Sequence, residues 1–276
     1  MQALRALVNV LYPPACLLCH ARLPIPPPQP LLVGPAPRNL TGEARQAGLA
    51  SSWAAMPSAA ESGLLCGDCA GAMRRSGPPV CARCGVAISG AFDAMVQCVS
   101  CRRHSLAFEM ARAPWQYAGS CQEAIRQFKY HRRWRLGRWL AEQMVNTARA
   151  SLPLDEVAAV LPVPLHWCKR WLKGWNPAEH LAGDVAQAIE KPCIPQALSR
   201  TRWTKTQTRL HGRERFRNVR RAFTARERLV RDRAILLVDD VLTSGATANA
   251  CATALKEAGA TRVFVLAAAR TPLHDS

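Results

Sequence analysis

Eight of the twelve cysteines in this 276-residue chain lie before residue 102, where they form four CxxC pairs. The pairs are Cys16/Cys19, Cys66/Cys69, Cys81/Cys84 and Cys98/Cys101. A CxxC segment turns two thiolates toward one point, and two such segments complete a tetrahedral zinc site. The sequence therefore predicts two zinc sites, and both should be structural because four thiolates leave no open coordination position.

The spacing of the pairs does not decide which of them share a metal. In the simplest, sequential arrangement, the four cysteines from Cys16 to Cys69 hold one zinc and the four from Cys81 to Cys101 hold the other. An interleaved arrangement stays open. Redox-active or disulfide-forming pairs are the less favoured alternative, since no thioredoxin-like βαβ pattern surrounds these cysteines.

The N-terminal segment bears on the redox compartment. Leu4, Leu7, Val8 and Leu11 follow helical spacing, which predicts a short amphipathic helix instead of the continuous apolar segment of a signal peptide. The longest purely apolar runs, such as residues 263–269, are too short to cross a bilayer. We therefore expect a protein of the reducing cytoplasm, with no transmembrane segment and with thiols available to metal.

Composition divides the chain into two parts near residue 105. Residues 24–63 contain eight prolines and little periodicity, which predicts a disordered insertion within a double zinc ribbon at residues 1–105. Such an insertion is tolerated because the free energy of loop closure grows only logarithmically with length. Beyond it, helical and strand patterns alternate, which predicts an α/β domain at residues 106–276.

Four segments define this predicted domain. Residues 122–145 predict one or two arginine-rich helices, residues 157–163 predict a strand, and another helix follows Pro177. Residues 234–239 include four consecutive apolar side chains, Ile235 to Val238, which is typical of a strand buried on both faces. This strand should therefore be central in a parallel sheet.

The segment after the central strand carries the candidate chemistry. An acidic pair, Asp239 and Asp240, is followed by a loop of small and hydroxylated residues at 243–247 and then by an alanine-rich helix. Ligands bind beyond the carboxyl ends of parallel strands, and a helix N-terminus favours an anion. We therefore expect a phosphate at this loop, where Gly245 lets the backbone approach closely.

Side chains of the loop and the acidic pair suggest the rest of the ligand. The hydroxyl groups of Thr243, Ser244 and Thr247 are donors suited to phosphate oxygens. Two adjacent carboxylates would repel a phosphate unless they face vicinal hydroxyl groups or a magnesium ion. A ribose 5-phosphate satisfies both requirements.

The run from Ile235 to Thr247 resembles the phosphoribosyl pyrophosphate (PRPP) binding motif of type I phosphoribosyltransferases. Together with the CxxC pairs, residues 162–164, 174–176 and 207–218 extend the resemblance to the ComF family of competence-associated proteins. The resemblance covers nearly the whole chain outside the insertion. It implies an α/β fold, a type I phosphoribosyltransferase-like parallel sheet flanked by helices, preceded by a small N-terminal zinc-ribbon module.

The resemblance also implies roles for individual residues. Asp239 and Asp240 would bind the ribose hydroxyl groups. The 5-phosphate would be bound by Thr243, Ser244, Gly245, Ala246 and Thr247. A pyrophosphate loop would include Val163, Pro164, Lys169, Arg170, Lys173 and Asn176. Magnesium would bridge diphosphate and ribose oxygens, while the sequence indicates no catalytic residue.

Positive charge is the remaining feature. The chain carries 37 Lys and Arg against 19 Asp and Glu, a formal net charge of +18, which favours polyanionic partners. Residues 200–233 hold 13 Lys or Arg and three acids. Trp203, Phe216 and Phe223 are interleaved with them, as in a surface that stacks the bases of single-stranded DNA. A basic loop that closes over PRPP, with the aromatic residues in the core, explains the same pattern.

Two classes of function follow from these features. In the first, the protein is a PRPP-dependent phosphoribosyltransferase with an unknown acceptor. In the second, it is a non-catalytic accessory protein whose PRPP pocket is a sensor or structural relic and whose surface binds DNA or competence-machinery proteins. The family resemblance implies DNA uptake, natural competence or the use of external DNA as the cellular role.

Overall fold

The computed structural model describes residues 14–24, 62–88, 96–103, 105–165, 174–201 and 221–272. The predicted N-terminal helix, most of the proline-rich insertion and residues 207–218 lie outside the described residues. Within the described ranges, no helix combines the length and the apolar character that crossing a bilayer requires.

The described residues form seven strands. In chain order they are β1 (Met110–Arg112), β2 (Trp115–Gln116), β3 (Val157–Pro162), β4 (Leu198–Arg200), β5 (Phe223–Ala225), β6 (Ala234–Leu242) and β7 (Arg262–Arg270). Five of them build one parallel sheet in the order β1–β7–β6–β3, with β2 also paired to β7. β4 and β5 form a separate antiparallel pair. The predicted α/β fold with a parallel sheet is therefore confirmed.

The described residues also form seven α-helices. In chain order they are α1 (Gly67–Gly71), α2 (Val99–Arg103), α3 (Gly119–His131), α4 (Trp134–Ser151), α5 (Pro177–Ala188), α6 (Glu227–Val230) and α7 (Ala246–Glu257). The arginine-rich segment thus forms two helices, α3 and α4. The helix predicted after Pro177 is α5, and it begins where the side chain of Asn176 accepts a hydrogen bond from the amide of Ala178.

The central strand β6 separates two hydrophobic cores. It lies between β3 and β7, as predicted, and Ile235 to Val238 are completely buried. Because successive strand residues point to opposite faces, Leu236 and Val238 join the core beneath α3, α4 and α5, whereas Ile235 and Leu237 join the core beneath α7. Each such buried aliphatic side chain contributes about 2 kcal/mol of stability.

Close packing of α3 against α4 fixes the last turn of α3. A Cβ atom at Gly137 would lie 2.4 Å from Cε2 of Phe128, so α4 approaches α3 only because this residue is glycine. The completely buried ring of Phe128 also meets Trp175 edge-on at a centroid distance of 5.2 Å. These contacts hold the backbone around Lys129, which the next section places at the candidate site.

Candidate functional site

The turn from β6 into α7 has the geometry expected of an anion-binding loop. Gly245, the residue before α7, has φ +79°, a left-handed conformation that glycine adopts without strain. An added Cβ would approach Phe108 no closer than 3.9 Å, so the backbone conformation, not space, requires glycine. The side chain of Ser244 accepts a hydrogen bond from the amide of Ala246 at 3.4 Å.

A cavity of about 250 Å³ opens beside this turn. Its lining residues come from β6, the turn, the start of α7 and two segments earlier in the chain. They are Tyr117, Lys129, Asp239, Asp240, Val241, Leu242, Thr243, Gly245, Thr247 and Ala248. Five of the residues predicted to bind the sugar and its phosphate therefore line one cavity, and Ser244 and Ala246 complete the turn between them.

The two aspartates of the pair have different partners. The Asp240 carboxylate forms an ion pair with the Lys129 ammonium group, with 2.7 Å between Oδ1 and Nζ. One carboxylate oxygen of Asp239 accepts a hydrogen bond from the amide of Asp240 at 2.8 Å. The pair is thus held by one cation from α3 and one backbone donor.

The charges of this cluster are strongly coupled. Burial of the Asp239 carboxyl group and repulsion from Asp240 raise the pKa of Asp239 to about 8, against the opposing effect of Lys129. Burial alone would lower the pKa of Lys129, but the carboxylates of Asp240 and Asp239 outweigh burial and raise that pKa. At neutral pH the cluster therefore carries less negative charge than two free aspartates, which reduces its repulsion of an anion at the loop.

Two lining residues with polar side chains, Lys129 and Tyr117, were not among those predicted from the sequence. Lys129 lies 111 positions before Asp240, and no motif connects it with the acidic pair. Tyr117 follows β2 directly, and the position after the carboxyl end of a parallel strand is where ligands bind. Tyr117 could therefore have been predicted as a site residue from its position, if β2 had been recognised as a strand in the sequence.

The predicted pyrophosphate loop begins beside β6. The amide of Val163, directly after β3, donates to the carbonyl oxygen of Val238 on β6 at 2.8 Å. The buried side chain of Asn176 donates to the carbonyl oxygen of Val163 at 3.1 Å and caps α5, so Asn176 closes the base of this loop. Pro164 is partly buried next to Val163.

The predicted cationic residues of that loop, Lys169, Arg170 and Lys173, lie outside the described residues. The same holds for Trp203 and Phe216 of the basic segment. Phe223 is described and lies in the core with only 6% of its surface exposed, so it offers no stacking surface for a base.

The eight CxxC cysteines form two clusters in sequential order. The sulfur atoms of Cys16, Cys19, Cys66 and Cys69 lie within 4.8 Å of one another, and so do those of Cys81, Cys84, Cys98 and Cys101. We call these groups the first and the second cysteine cluster. Cys19 of the first cluster is exposed, whereas all four cysteines of the second cluster are buried.

The sulfur geometry of both clusters fits zinc. In a tetrahedral site with Zn–S bonds near 2.3 Å, neighbouring sulfurs lie about 3.8 Å apart, whereas a disulfide holds them about 2.05 Å apart. The Cys19–Cys66 distance is 3.6 Å and the Cys84–Cys98 distance is 3.7 Å. The amide of Cys98 also donates to the Cys81 sulfur at 3.3 Å, a contact that would stabilise the negative charge of a metal-bound thiolate.

The chain is similar in sequence to several known proteins. No family model matches the chain. The DNA utilization protein YhgH of Salmonella typhimurium is 30% identical over 219 residues, which cover 78% of this chain and 94% of that protein. Competence protein F of Haemophilus influenzae is 26% identical over 197 residues, 70% of this chain and 85% of that protein.

Two enzymes match shorter parts of the chain. The amidophosphoribosyltransferase of Saccharomyces cerevisiae is 28% identical over 140 residues, 51% of this chain and 24% of the enzyme. Among solved structures, the glutamine PRPP amidotransferase from B. subtilis is 23% identical, with 48% of this chain and 26% of that chain covered and a TM-score of 0.33. The chain spans about a quarter of the length of these enzymes.

The parallel sheet, the loop after β6 and the two cysteine clusters define a protein with a phosphoribosyltransferase-like fold and cysteine ribbons. The match to the Salmonella protein, which extends over most of both chains, narrows this class. The chain belongs to the ComF family, which includes competence protein F and DNA utilization protein YhgH.

The cysteine clusters predict the metal content. Protein produced with zinc should contain two zinc ions per chain by elemental mass spectrometry, and Cys84→Ser should lower this number to one. Cys121→Ser is the matched control, because Cys121 is a buried cysteine outside both clusters. A wild-type content of one zinc or none would contradict the assignment.

The ion pair at the cavity predicts a pH-dependent stability. The raised pKa of Asp239 means that the folded protein takes up a proton below about pH 8, whereas an unfolded aspartate does so near pH 4. Lys129→Met removes a cation that offsets both carboxylates. The free energy of unfolding of this variant should therefore be lower than that of wild type by about 1–3 kcal/mol. This deficit should be larger at pH 9, with Asp239 charged, than at pH 6, with Asp239 protonated.

Urea unfolding of both proteins at pH 9 and pH 6 measures this difference. Lys256→Met is the control, since Lys256 also forms a 2.7 Å ion pair, with Glu109, away from the cavity. Its deficit should be the same at both pH values. Equal deficits for Lys129→Met at pH 6 and pH 9 would show that Lys129 does not compensate the charge of Asp239.

Proposed function

We propose that this protein binds PRPP, or a related ribose 5-phosphate, together with magnesium in the cavity at the carboxyl end of β6. The observation that carries the proposal is the lining of that one cavity, which combines the hydroxylated loop before α7 with the acidic pair. The loop and the first amides of α7 suit a phosphate. The carboxylates suit the vicinal hydroxyl groups of ribose or a magnesium ion.

Lys129 supports the choice of a phosphorylated sugar. Two bare carboxylates next to the loop would repel a phosphate, but Lys129 pairs with Asp240, and Asp239 has a raised pKa. The acidic pair therefore accepts hydrogen bonds without a full double negative charge. Lys129 is also placed to interact with the ligand itself, since it lines the same cavity.

Transfer chemistry would require cations opposite the acidic pair. Departure of pyrophosphate from C1 of PRPP develops positive charge on the sugar and negative charge on the leaving group. We assign stabilisation of the negatively charged leaving group to the loop after β3, which begins next to β6. In this proposal its residues Lys169, Arg170 and Lys173 stabilise the pyrophosphate.

The cellular role that we propose is the use of external DNA. The relatives that match most of the chain are named for competence and for DNA utilization, and the yeast relative is named for phosphoribosyl transfer. A cytoplasmic location would keep the cysteine clusters reduced and bound to zinc. Competence-machinery proteins are the partners that this role implies.

A second candidate function, binding of single-stranded DNA, has its own structural support. Residues 131–135, which join α3 to α4, are all exposed. Tyr130 and Trp134 are 63% and 44% exposed, unusually high for large aromatic side chains, and three arginines stand among them. We call residues 130–135 the aromatic turn. Aromatic rings stack bases while arginines neutralise phosphates, which is how proteins bind single strands.

The PRPP proposal predicts the effect of removing the carboxylates. Isothermal titration of the zinc-loaded protein with PRPP and magnesium should show binding. The double variant Asp239→Asn, Asp240→Asn should bind at least about tenfold more weakly, because hydrogen bonds to charged groups contribute about 1.5–3 kcal/mol each. Asp232→Asn, at an exposed position before the amino end of β6, should leave the affinity unchanged. Unchanged affinity of the double variant would refute the assignment.

The same protein distinguishes a transferase from a sensor. Release of pyrophosphate from PRPP, on addition of candidate acceptors, indicates transfer. Binding without release across a broad acceptor screen supports the accessory protein with a sensor pocket.

The aromatic turn predicts salt-dependent binding of single-stranded DNA. By fluorescence anisotropy, log K should fall with log salt by about 0.7 for each neutralised phosphate. Tyr130→Ala should weaken binding by about 1–3 kcal/mol if one base stacks on this ring. Replacing Arg133 and Arg135 by glutamine should reduce the salt slope, whereas Arg149→Gln, at the opposite end of α4, should not. Salt-independent binding, or no binding, would rule out this surface.

A further inference from the structure

A buried arginine connects the second cysteine cluster with the candidate phosphate loop. Arg270 is the last residue of β7 and only 7% exposed. Its Nε donates to the Cys84 carbonyl oxygen at 3.3 Å, and its Nη2 donates to the Cys84 sulfur at 3.8 Å. Its Nη1 donates to the carbonyl oxygen of Leu242 at 2.9 Å. Leu242 ends β6 and directly precedes the loop.

Among the described residues, this guanidinium group has one neighbour that can supply a balancing negative charge. Burying a charge is costly unless it is paired, and among the described residues no carboxylate forms an ion pair with Arg270. The group within bonding distance that can carry negative charge is the Cys84 sulfur. Four thiolates on one zinc ion carry a net charge of −2, so a metal-loaded second cluster provides the anion that Arg270 requires.

The cluster is also docked firmly on the sheet. The amide of Ala111 on β1 donates to the carbonyl oxygen of Arg83 at 2.7 Å, and Arg112 donates to that of Ala82 at 3.0 Å. A Cβ atom at Gly85 would lie 2.4 Å from the Ala111 oxygen, and Gly85 has φ +67°. A substitution there would be strained and crowded, so the CxxC turn packs against β1 with no space between them.

A separate contact reaches the other end of the loop. Residues 105–109 lead from the second cluster into β1. The amide of Ala107 donates to the side chain of Asn249 on α7 at 2.6 Å. The completely buried ring of Phe108 lies beside Gly245. The loop between Leu242 and Ala246 is therefore held at both ends by residues that also contact or adjoin the second cluster.

We propose that Arg270 is a positioning residue that couples metal occupancy of the second cysteine cluster to ligand affinity at the loop after β6. With metal bound, the Cys84 turn is fixed, and Arg270 holds the Leu242 carbonyl group in place. Without metal, the turn is released and the guanidinium group loses both its anion and its fixed position. This inference rests on the proposed function, because it takes the loop to bind a phosphorylated ribose.

Coupling of this kind is reciprocal. If metal raises ligand affinity, the ligand raises metal affinity by the same factor, which for coupled sites is typically about 5- to 150-fold. The effect is therefore measurable with the zinc-loaded protein as the starting material, so no metal-free folded chain has to be prepared. The readout is the amount of zinc that a chromophoric chelator of known affinity removes at equilibrium, with and without saturating PRPP and magnesium.

In wild-type protein, PRPP should raise the affinity for one of the two zinc ions by at least about fivefold. In Arg270→Gln, that zinc should bind more weakly, PRPP should no longer raise its affinity, and PRPP should bind about 5- to 150-fold more weakly. Arg270→Lys keeps the charge but cannot reach Cys84 and Leu242 together. It should restore much of the zinc retention but not the protection by PRPP, a split that a purely structural role would not produce.

Arg262 provides the matched control. It is the first residue of β7, is exposed and pairs with Glu156, so Arg262→Gln removes an arginine from the opposite end of the same strand. Its zinc affinity and PRPP protection should match those of wild type. Cys19→Ser removes an exposed ligand of the first cluster and so assigns the responding zinc. The response must persist in this variant if it belongs to the second cluster.

The possible failures are distinct. If zinc-loaded wild-type protein binds no PRPP by calorimetry, both the proposed function and the coupling are wrong. If PRPP binds but leaves zinc affinity unchanged, the coupling alone is wrong. If PRPP still protects the zinc in Arg270→Lys, the proposed role of Arg270 is wrong. If this protection disappears in Cys19→Ser, the assignment to the second cluster is wrong. Should Arg270→Gln not fold, wild type and Arg270→Lys still decide the question.

Discussion

The parallel pairing of β6 with β3 on one side and β7 on the other brings the candidate site together. Parallel strands end at the same edge of a sheet, so residues far apart in the chain meet there. Tyr117 after β2, Val163 after β3 and the acidic pair on β6 all lie at this edge. The complete burial of Ile235 to Val238 makes this arrangement rigid, because any shift of β6 would disturb the cores on both faces.

Electrostatic compensation then makes an acidic pair compatible with an anionic ligand. Asp240 points toward α3, where Lys129 meets it, while Asp239 lies among buried groups that favour its neutral form. The position of Lys129 depends in turn on the close approach of α3 and α4 at Gly137. Packing between α3 and α4 thus helps to place the positive charge that a ligand would encounter.

Local signals in the sequence predicted the parts of this structure that depend on local physics. Four consecutive apolar residues predicted β6, small hydroxylated residues and glycine predicted the turn into α7, and the CxxC spacing predicted metal-binding turns. The sequence did not predict the partners, because Lys129 and Arg270 reach Asp240 and Cys84 only through tertiary packing. The spacing also left open how the CxxC pairs combine. In the sequential combination that the structure shows, the two clusters join the cores on opposite faces of the sheet.

This separation of the clusters gives them unequal surroundings. The second cluster is buried among core residues that include Leu242 and Ala246 at the two ends of the loop, so its sulfurs and the loop share one packed core. The first cluster joins the core beneath α3 and α4 but exposes Cys19 to solvent. Chelators and oxidants can therefore reach the thiols of the first cluster directly, whereas those of the second cluster are reached only by disturbing the packing around the loop. The two sites are both built from four cysteines, so they differ in burial and not in the identity of their ligands.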